Sequence, residues 1–385
     1  MILELHIIQN FAPSNLNRND TGAPKDCIFG GHRRARISSQ CFKRAMREYF
    51  KNKFTAQENL AERSTRLVEE IASYLEKSGK DKEEAKRVVK AALGEVGLNM
   101  SSKDATKTQY LLFLGRDEIR RFAEICLTNY DALLAIAPQS ADGLSAKEAK
   151  KAAKNTIPEV SKALQKVLDG GKAADLALFG RMLADLPDKN RDASSQVAHA
   201  ISTHKTGVEF DFFTAVDDLK PEDTAGSDHL GTVEFNSACF YRYLNVDTDE
   251  LKRNLQSDED LSRATIEFFI RSAIEAIPTG KQNSFATHEK PSFVLAVVRD
   301  AGMISLANAF VKPAKATDRQ DLVSASVESL ENYWKKLFDG YGDKSQQFVF
   351  NVSNHELTHL KHAQEMQMNQ LVAKTVGAIF NQREA

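Results

Sequence analysis

The 385-residue sequence has only four cysteines, and no two of them form a CxxC pair. This scarcity argues against a disulfide framework or a zinc ribbon and suits a reducing compartment. No apolar run approaches the length of about 18 residues that suggests a membrane span. The first ten residues have no basic stretch ahead of their apolar ones, so we expect neither a signal peptide nor an anchor. These features together predict a cytoplasmic protein with no membrane partner.

The chain also has almost no net charge, because 52 basic residues face 53 acidic ones. Binding of polyanions through the whole surface is therefore excluded, and any nucleic-acid site must come from a local patch. One such patch lies between Lys25 and Lys53, where nine basic residues face two acidic ones, a local charge of +7. Its basic members are Lys25, Arg33, Arg34, Arg36, Lys43, Arg44, Arg47, Lys51 and Lys53.

The stretch FGGHRRARISSQCFKRAMR, residues 29–47, carries most of this charge. Ser38 or Ser39 is predicted to cap a helix here, because serine oxygens accept the free N–H groups of a first turn. The helix start would add unsatisfied N–H groups and the positive end of the helix dipole. The glycines at positions 30 and 31 would let backbone N–H groups approach a phosphate closely. Each feature favours an anionic ligand.

Lys43, Arg44 and Arg47 lie within one turn of the predicted helix and can share a face. No GxxxxGK[ST] loop is present, so the segment is not a nucleoside-triphosphate site. A single phosphate would not need so many cations, whereas a polynucleotide backbone would. The alternative is a solvated basic helix and loop, which is what charge runs usually form. Arg33 and Arg34 are weaker candidates, and we expect them to meet an acidic segment of a neighbouring subunit instead.

Hydrophobic periodicity divides the chain into a β/α part and a helical part. MILELHIIQN predicts an opening strand, and the Ala-, Lys-, Glu- and Leu-rich stretch from about 55 to 186 predicts a helical insertion. Strand patterns return after Ser194, and SFVLAVVRDAGMISLANAF predicts two strands around Asp300–Gly302. Without the insertion and one hairpin, the remaining alternation predicts an α+β, ferredoxin-like domain built on an antiparallel sheet.

The predicted hairpin between Lys205 and Asp228 has seven acidic residues and two basic ones. It therefore cannot bind phosphates by charge. Its alternation places Val208, Phe210 and Phe212 on one face, with Glu209, Asp211 and Phe213 on the other. Phe213 is thus a large aromatic residue on the polar face. It serves either as a tertiary contact or as a wedge on which bases stack, since stacking needs no charge.

Residues 355–359 read HELTH, a formal match to the H-E-x-x-H zinc motif. On a helix, His355 and His359 would face the same way and Glu356 could act as the base. The metzincin continuation needs glycine and histidine where this chain has His362 and Glu365. Ser353 or Asn354 could equally cap an ordinary surface helix. A zinc metalloprotease is therefore an unlikely alternative, and no metal or cofactor is expected.

Several blocks in this sequence resemble the CasC family, the backbone subunit of the type I-E CRISPR Cascade complex. They are QNFAPSNLNRNDTGAPKDCIFGGHRRARISSQCFKRAMR, VAHAISTHK, DFFTAVDDL, HLGTVEFNSACFYRY and SLANAF, in that order. The resemblance implies an RRM-like palm in residues 1–55, 187–204 and 230–385, helical fingers in 56–186, and a thumb hairpin in 205–229. It implies partners as well: guide RNA (crRNA), target DNA, further copies of the chain and other Cascade subunits.

The same resemblance implies roles for individual residues. Those expected to line the RNA phosphates are Arg18, Lys25, Ser38, Gln40, Lys43, Arg44 and Arg47. Phe213, with Thr214 beside it, would be the thumb wedge, and Met182 would pack near the displaced base. The fingers would touch target DNA through Lys147, Lys150, Lys151 and Lys154.

These inferences lead to a non-enzymatic, RNA-binding structural subunit that polymerises along guide RNA and presents it to target DNA in antiviral defence. A guide-bound endoribonuclease is the alternative, because distant relatives in type III complexes cut RNA with an aspartate near the first loop. Asp20 or Asp26 could fill that place. The metalloprotease is the remaining alternative.

Overall fold

The computed structural model describes residues 1–104, 106–137, 157–215 and 229–381. They fall into two compact units. The first unit comprises residues 1–53, 195–248 and 263–385, and the second comprises residues 54–194 and 249–262. The α+β prediction, an antiparallel sheet interrupted by a helical insertion, is confirmed.

The described strands are β1 Ile2–Ser14, β2 Asp26–Phe29, β3 His32–Ile37, β4 Ala61–Ser64, β5 Leu112–Gly115, β6 Ser195–Val197, β7 Ala200–Ser202, β8 Glu209–Ala215, β9 His229–Asp247, β10 Phe293–Arg299, β11 Gln346–Asn351 and β12 Gln364–Glu365. The described α-helices are α1 Ser39–Lys53, α2 Leu67–Lys77, α3 Lys82–Glu95, α4 Arg116–Thr128, α5 Tyr130–Ile136, α6 Pro158–Val167, α7 Ala174–Phe179, α8 Thr248–Asn254, α9 Glu259–Glu275, α10 Gln282–Phe285, α11 Leu322–Tyr341 and α12 Met368–Phe380. None of these helices is long and apolar enough to cross a membrane.

The first unit is built on one sheet with strand order β12-β11-β10-β1-β9-β7-β3-β2, and β6 and β8 also pair with β9. Among the described strand pairs of this sheet, only the short β11–β12 pair is parallel. Strand β1 is central because it pairs with β10 on one side and β9 on the other. The predicted opening strand is confirmed, and its residues are buried on both faces of the sheet.

Helices cover both faces of this sheet. On one face, Val327, Leu330 and Trp334 of α11 join a core with Ile8 and Tyr241 of the central strands. The opposite face carries α1, whose Phe42 ring lies under the Arg242 guanidinium of β9 at 4.0 Å. Sheet neighbours share a face, so the register from Arg242 through Ile7 and Val294 places Phe350 of β11 on this face. Phe350 lines one surface pocket together with residues of α12, which therefore lies on the same face.

Helix α1 forms where the sequence predicts it. Ser38 is the N-cap: its Oγ accepts from Cys41 N at 3.3 Å, and its own N–H donates to Asn17 Oδ1 at 2.8 Å. Phe42, Met46 and Phe50 recur every four residues and are buried. The helix therefore turns one apolar stripe to the sheet and leaves its basic residues on the other side.

The second unit is mainly helical, with an apolar core supplied by helices α2 to α6 and the small β4–β5 sheet. Its buried centre contains an ion pair in which Arg181 Nη1 lies 2.9 Å from both carboxylate oxygens of Glu118. The Glu118 oxygens also accept from Gly115 N and Gly170 N, each at 2.7 Å. Arg181 donates to the carbonyls of Leu168 and Lys189. This charge pair is thus well supplied with the hydrogen bonds that burial demands.

Two local predictions are wrong. The second strand expected after Asp300 is a coil followed by a 3-10 turn at Ala307–Phe310, whose Phe310 side chain is buried in the core between α11 and the sheet. Residues 355–359 form a loop, and the next turn is the 3-10 segment Lys361–Ala363. The loop forms because Glu331 of α11 binds its backbone N–H groups, as described below.

Candidate nucleic-acid interface

Basic side chains from three elements converge at the start of α1. Lys25 in the loop before β2 and Arg44 on α1 both act electrostatically on the Cys41 thiol, so each of the two cations lies near that thiol. Burial is the main cause that raises the pKa of this thiol to about 11, and the two cations oppose the rise. Lys25 and Arg36 act in the same way on His199, whose pKa is lowered mainly by burial. Lys25 is therefore shared by both neighbourhoods.

The side chain of Arg36 on β3 is fixed by hydrogen bonds. Its Nε donates to Asp26 O at 3.1 Å, and its Nη1 lies 2.9 Å from His199 Nδ1. Among the described residues, no carboxylate forms an ion pair with Lys25, Arg36 or Arg44. Like charges in one neighbourhood repel one another, so these cations are suited to an anion supplied from outside the described residues.

The remaining predicted phosphate contacts of α1 lie along its outer side. Gln40 and Arg44 are exposed, whereas Lys43 and Arg47 are partly buried. The pKa of Lys43 is lowered by burial of its amine. Arg47 follows Lys43 by four residues and Arg44 by three, so the helix places all three on one side, as predicted.

The loop before β2 forms the other wall of this surface. Arg18 is exposed and pairs through its backbone with Pro24, and Lys25 N donates to Asn17 O at 2.9 Å. A small surface notch is lined by Asn17, Lys25, Arg36 and Asn236 among others. Ser38, predicted to touch phosphate, is buried at the base of the loop as the helix cap.

The prediction that Arg34 meets a neighbouring subunit is wrong, because its side chain is 0% exposed within this chain. Its guanidinium donates to five backbone carbonyls, those of Phe29, Ser202, Thr203, Phe310 and Val311. Arg33, its neighbour, is exposed and forms an ion pair with Asp26. Arg34 therefore has a structural role within the chain, whereas Arg33 lies at the surface.

The two glycines of the basic segment have a structural reason. Gly30 and Gly31 form the tight turn between β2 and β3, with φ of +59° and +77°. A two-residue hairpin turn of this kind needs left-handed torsions at both positions, which glycine adopts at no cost. A Cβ on Gly30 would also lie 2.2 Å from Val311 O. The turn and its packing account for both glycines.

The aromatic residues of the hairpin alternate between its two faces as predicted. The most exposed rings, however, lie on the face opposite to Phe213, the residue that the prediction names as the wedge. Phe213 is 41% exposed, whereas Phe210 and Phe212 on the opposite face are 68% and 65% exposed. Phe213 lies opposite Gly231 on β9, and Thr214 beside it is exposed. Phe210 and Phe212 are thus stacking candidates that the sequence reasoning set aside. The i, i+2 alternation that places them together was the available signal.

Met182 lies in the second unit and is 79% exposed. Its neighbours on both sides are buried: Arg181 in the ion pair with Glu118, and Leu183 in the helical core. Leu183 N also donates to Asn190 Oδ1 at 2.6 Å. A large apolar side chain is therefore presented to solvent by a well-anchored backbone, which is typical of a contact residue. Lys147, Lys150, Lys151 and Lys154 lie outside the described residues.

The HELTH segment is organised by one buried carboxylate. Glu331 Oε1 accepts from the backbone N–H groups of Thr358, His359 and Leu360 at 2.5–2.9 Å, and its Oε2 lies 2.9 Å from His355 Nε2. Burial acts to raise the pKa of Glu331, but these hydrogen bonds outweigh it and the pKa is lowered. Over the ranges that the structure describes, no three His, Cys, Asp or Glu side chains are grouped to hold a metal ion.

The two aspartates considered for RNA cleavage have different surroundings. Asp26 forms the ion pair with Arg33 and its carbonyl accepts from Arg36. Asp20 is exposed at the tip of the loop between Asn19 and Gly22. Within the described residues, neither aspartate belongs to a group of three or more His, Cys, Asp or Glu side chains that could hold a metal ion.

This fold is that of chains solved within CRISPR RNA-guided surveillance complexes. One of them, described as "CRISPR RNA-guided surveillance complex, pre-nicking", is 32% identical with a TM-score of 0.85, and the match covers 99% of this chain and 100% of that one. Another, described as "CRISPR RNA-guided surveillance complex", is 24% identical with a TM-score of 0.75 over 98% and 100% of the two chains, and it shows the fold alone.

The chain belongs to the CT1975-like protein family, whose model matches residues 3–374. This match and the first solved chain confirm the resemblance to the CasC family that the sequence blocks indicate. Curated protein sequences give no match.

Proposed function

We propose that this protein binds guide RNA as a structural subunit of a CRISPR surveillance complex. Copies of the chain assemble along the RNA in the cytoplasm, together with other subunits of a type I-E Cascade complex. The bound RNA is presented for pairing with target DNA. Sequence is then recognised by base pairing, while the protein holds the backbone. In this role the chain is not an enzyme.

The observation that carries this proposal is the cluster of Lys25, Arg36 and Arg44, with no carboxylate ion-paired to it among the described residues. Cations gathered from a loop, a strand and a helix fit a chain of phosphates better than a single small anion. The family membership and the surveillance-complex chains of similar fold support the same reading.

Residue roles follow from this surface. Phosphate contacts are assigned to Arg18, Lys25, Gln40, Lys43, Arg44 and Arg47, and Ser38 shapes the loop against the helix start. Phe213 and Thr214 form the wedge that separates consecutive bases, and Met182 packs against a displaced base. Contacts to target DNA are assigned to Lys147, Lys150, Lys151 and Lys154.

A charge-reversal experiment tests the proposal. Lys43→Glu combined with Arg44→Glu places two negative charges against the phosphates, so RNA affinity falls by about tenfold or more per reversed charge at moderate salt. The measurement is RNA retained by the purified protein and binding of a single-stranded guide-length RNA. The matched control is Lys335→Glu with Lys336→Glu, the same charge change on α11, which covers the opposite face of the sheet.

The control double variant is expected to bind RNA like the wild type. Equal losses in both double variants would mean that only net charge matters, and the site assignment would fail. A wild-type protein that carries no RNA and binds none would overturn the function itself.

A further inference from the structure

The hairpin that carries Phe213 contains a close contact between this ring and the facing strand. Phe213 and Gly231 are directly opposite in the antiparallel β8–β9 pair. A Cβ built on Gly231 would lie 2.3 Å from Cζ of Phe213, 2.6 Å from its Cε1 and 3.1 Å from its Cε2. Carbon atoms in contact are normally about 3.5–4.0 Å apart. The ring therefore lies across the space that any other residue would fill with its side chain.

Backbone conformation gives no reason for a glycine at this position. Gly231 is not among the glycines with positive φ, so an L-residue could adopt its torsions. It also continues the regular pairing of β9 with β8. Glycine weakens a strand interior and is typical there of a close approach by another group. Here that group is the Phe213 ring.

We infer that Gly231 is a positioning residue for Phe213, because the missing side chain at position 231 lets the end of the ring lie against the facing strand. The exposed fractions agree with this arrangement, because Phe213 keeps 41% of its surface while Phe210 and Phe212 keep about two thirds. A ring fixed in this way is ready to stack on a base without first losing side-chain freedom.

This inference rests on the proposed function, because it concerns the wedge through which the hairpin meets RNA. It makes a prediction about the free protein as well. Gly231→Ala places a methyl group where the ring lies, so the ring must rotate away from the strand. The matched control is Gly207→Ala, since Gly207 lies just before β8, has no positive φ, and a Cβ there meets nothing within 4 Å.

The first measurement uses the free protein with 4-fluorophenylalanine incorporated at position 213. In the wild type we expect a 19F resonance in contact with the Gly231 Hα protons by nuclear Overhauser effect. Gly231→Ala should move the resonance and remove the ring's contact with the residue at position 231, whereas Gly207→Ala should leave both unchanged. An unmoved resonance in Gly231→Ala would overturn the inference whatever the protein does with RNA.

The second measurement uses RNA with 2-aminopurine at successive positions, bound to the wild type, Gly231→Ala, Phe213→Ala and the double variant. We expect a position-dependent fluorescence pattern in the wild type that both single variants change by about twofold or more, because stacking on an aromatic ring is worth about 1–3 kcal/mol per base. Gly231→Ala should add nothing once Phe213 is removed.

The outcomes separate the two ideas. If the wild type binds no RNA, the proposed function fails, and the 19F result alone decides the role of Gly231. If RNA binds with a clear pattern that Gly231→Ala does not alter, the inference fails and the function stands. If Gly231→Ala acts equally with and without Phe213, the glycine serves strand pairing instead of the ring, which also overturns the inference.

Discussion

Two arginines in the same basic segment differ in their surroundings. Arg34, on β3, is fully buried, and its donors are taken up by five backbone carbonyls. Arg44, ten residues later on α1, is exposed, and no carboxylate of the described residues is ion-paired with it. In the sequence both are members of one basic run. The difference shows that a cation's role depends on what encloses it, which local charge does not reveal.

The first prediction concerns the buried member and has the largest expected effect. Arg34→Met removes the donors that hold the carbonyls of Ser202, Thr203 and Phe310 in a buried site. Thr203 O keeps one hydrogen bond, from Ala314 N. Each buried acceptor left without a partner costs about 1–3 kcal/mol, so loss of the other two should lower the free energy of unfolding by about 2–6 kcal/mol. Urea denaturation followed by circular dichroism measures it.

Arg33→Met is the matched control, because this neighbour is exposed and its ion pair with Asp26 lies at the surface. Such pairs contribute about 0–1 kcal/mol, so the control should be nearly as stable as the wild type. If the free energy of unfolding fell equally in both variants, burial would not distinguish the two arginines, and the contrast between a structural and a surface arginine would be wrong.

The second prediction concerns the exposed member and has an intermediate effect. Arg44→Ala removes one phosphate contact, so RNA affinity should fall by about tenfold at low salt while the stability stays unchanged. The slope of log affinity against log salt should become shallower by about 0.7–0.9, the share of one phosphate contact. Fluorescence anisotropy at several salt concentrations measures both quantities.

Lys336→Ala on α11 is the control for this change, since Lys336 is also an exposed cation on a helix of the first unit. Its salt slope should equal that of the wild type. An unchanged slope in Arg44→Ala would mean that Arg44 faces no phosphate, and the exposed cations would then be a solvated surface.

The elements with a strong local signal could be predicted from the sequence. Helix α1 has its serine cap and its stripe of Phe42, Met46 and Phe50, and it forms as expected. Strand β1 is mostly apolar and is central in the sheet. In both cases local preference and burial act in the same direction, which is why the patterns are informative.

The features that could not be predicted depend on partners distant in the chain. Arg34 is buried because residues 202–203 and 310–311 supply carbonyls, and no pattern near Arg34 shows this. The HELTH sequence matches a zinc motif that is normally helical. Here it forms a loop, because Glu331, 24 residues before His355, accepts hydrogen bonds from its backbone N–H groups. Long-range hydrogen bonds of this kind override local preference.

The third prediction has the smallest effect and concerns Lys43, which lies between the two extremes because its amine is partly buried. Burial lowers its pKa, so the amine loses its proton at a lower pH than an exposed lysine does.

Only the charged form of Lys43 attracts phosphate. RNA affinity should therefore fall as the pH rises toward about 10.4, the ordinary pKa of lysine, and it should fall less in Lys43→Arg, because arginine stays charged throughout this range. Binding of a 2′-O-methyl RNA, which resists alkaline hydrolysis, measures the two curves, with Lys336→Arg as the control that should follow the wild type. Parallel curves for wild type and Lys43→Arg would show that Lys43 does not contribute its charge to binding, and the phosphate-binding surface of α1 would then consist of its arginines.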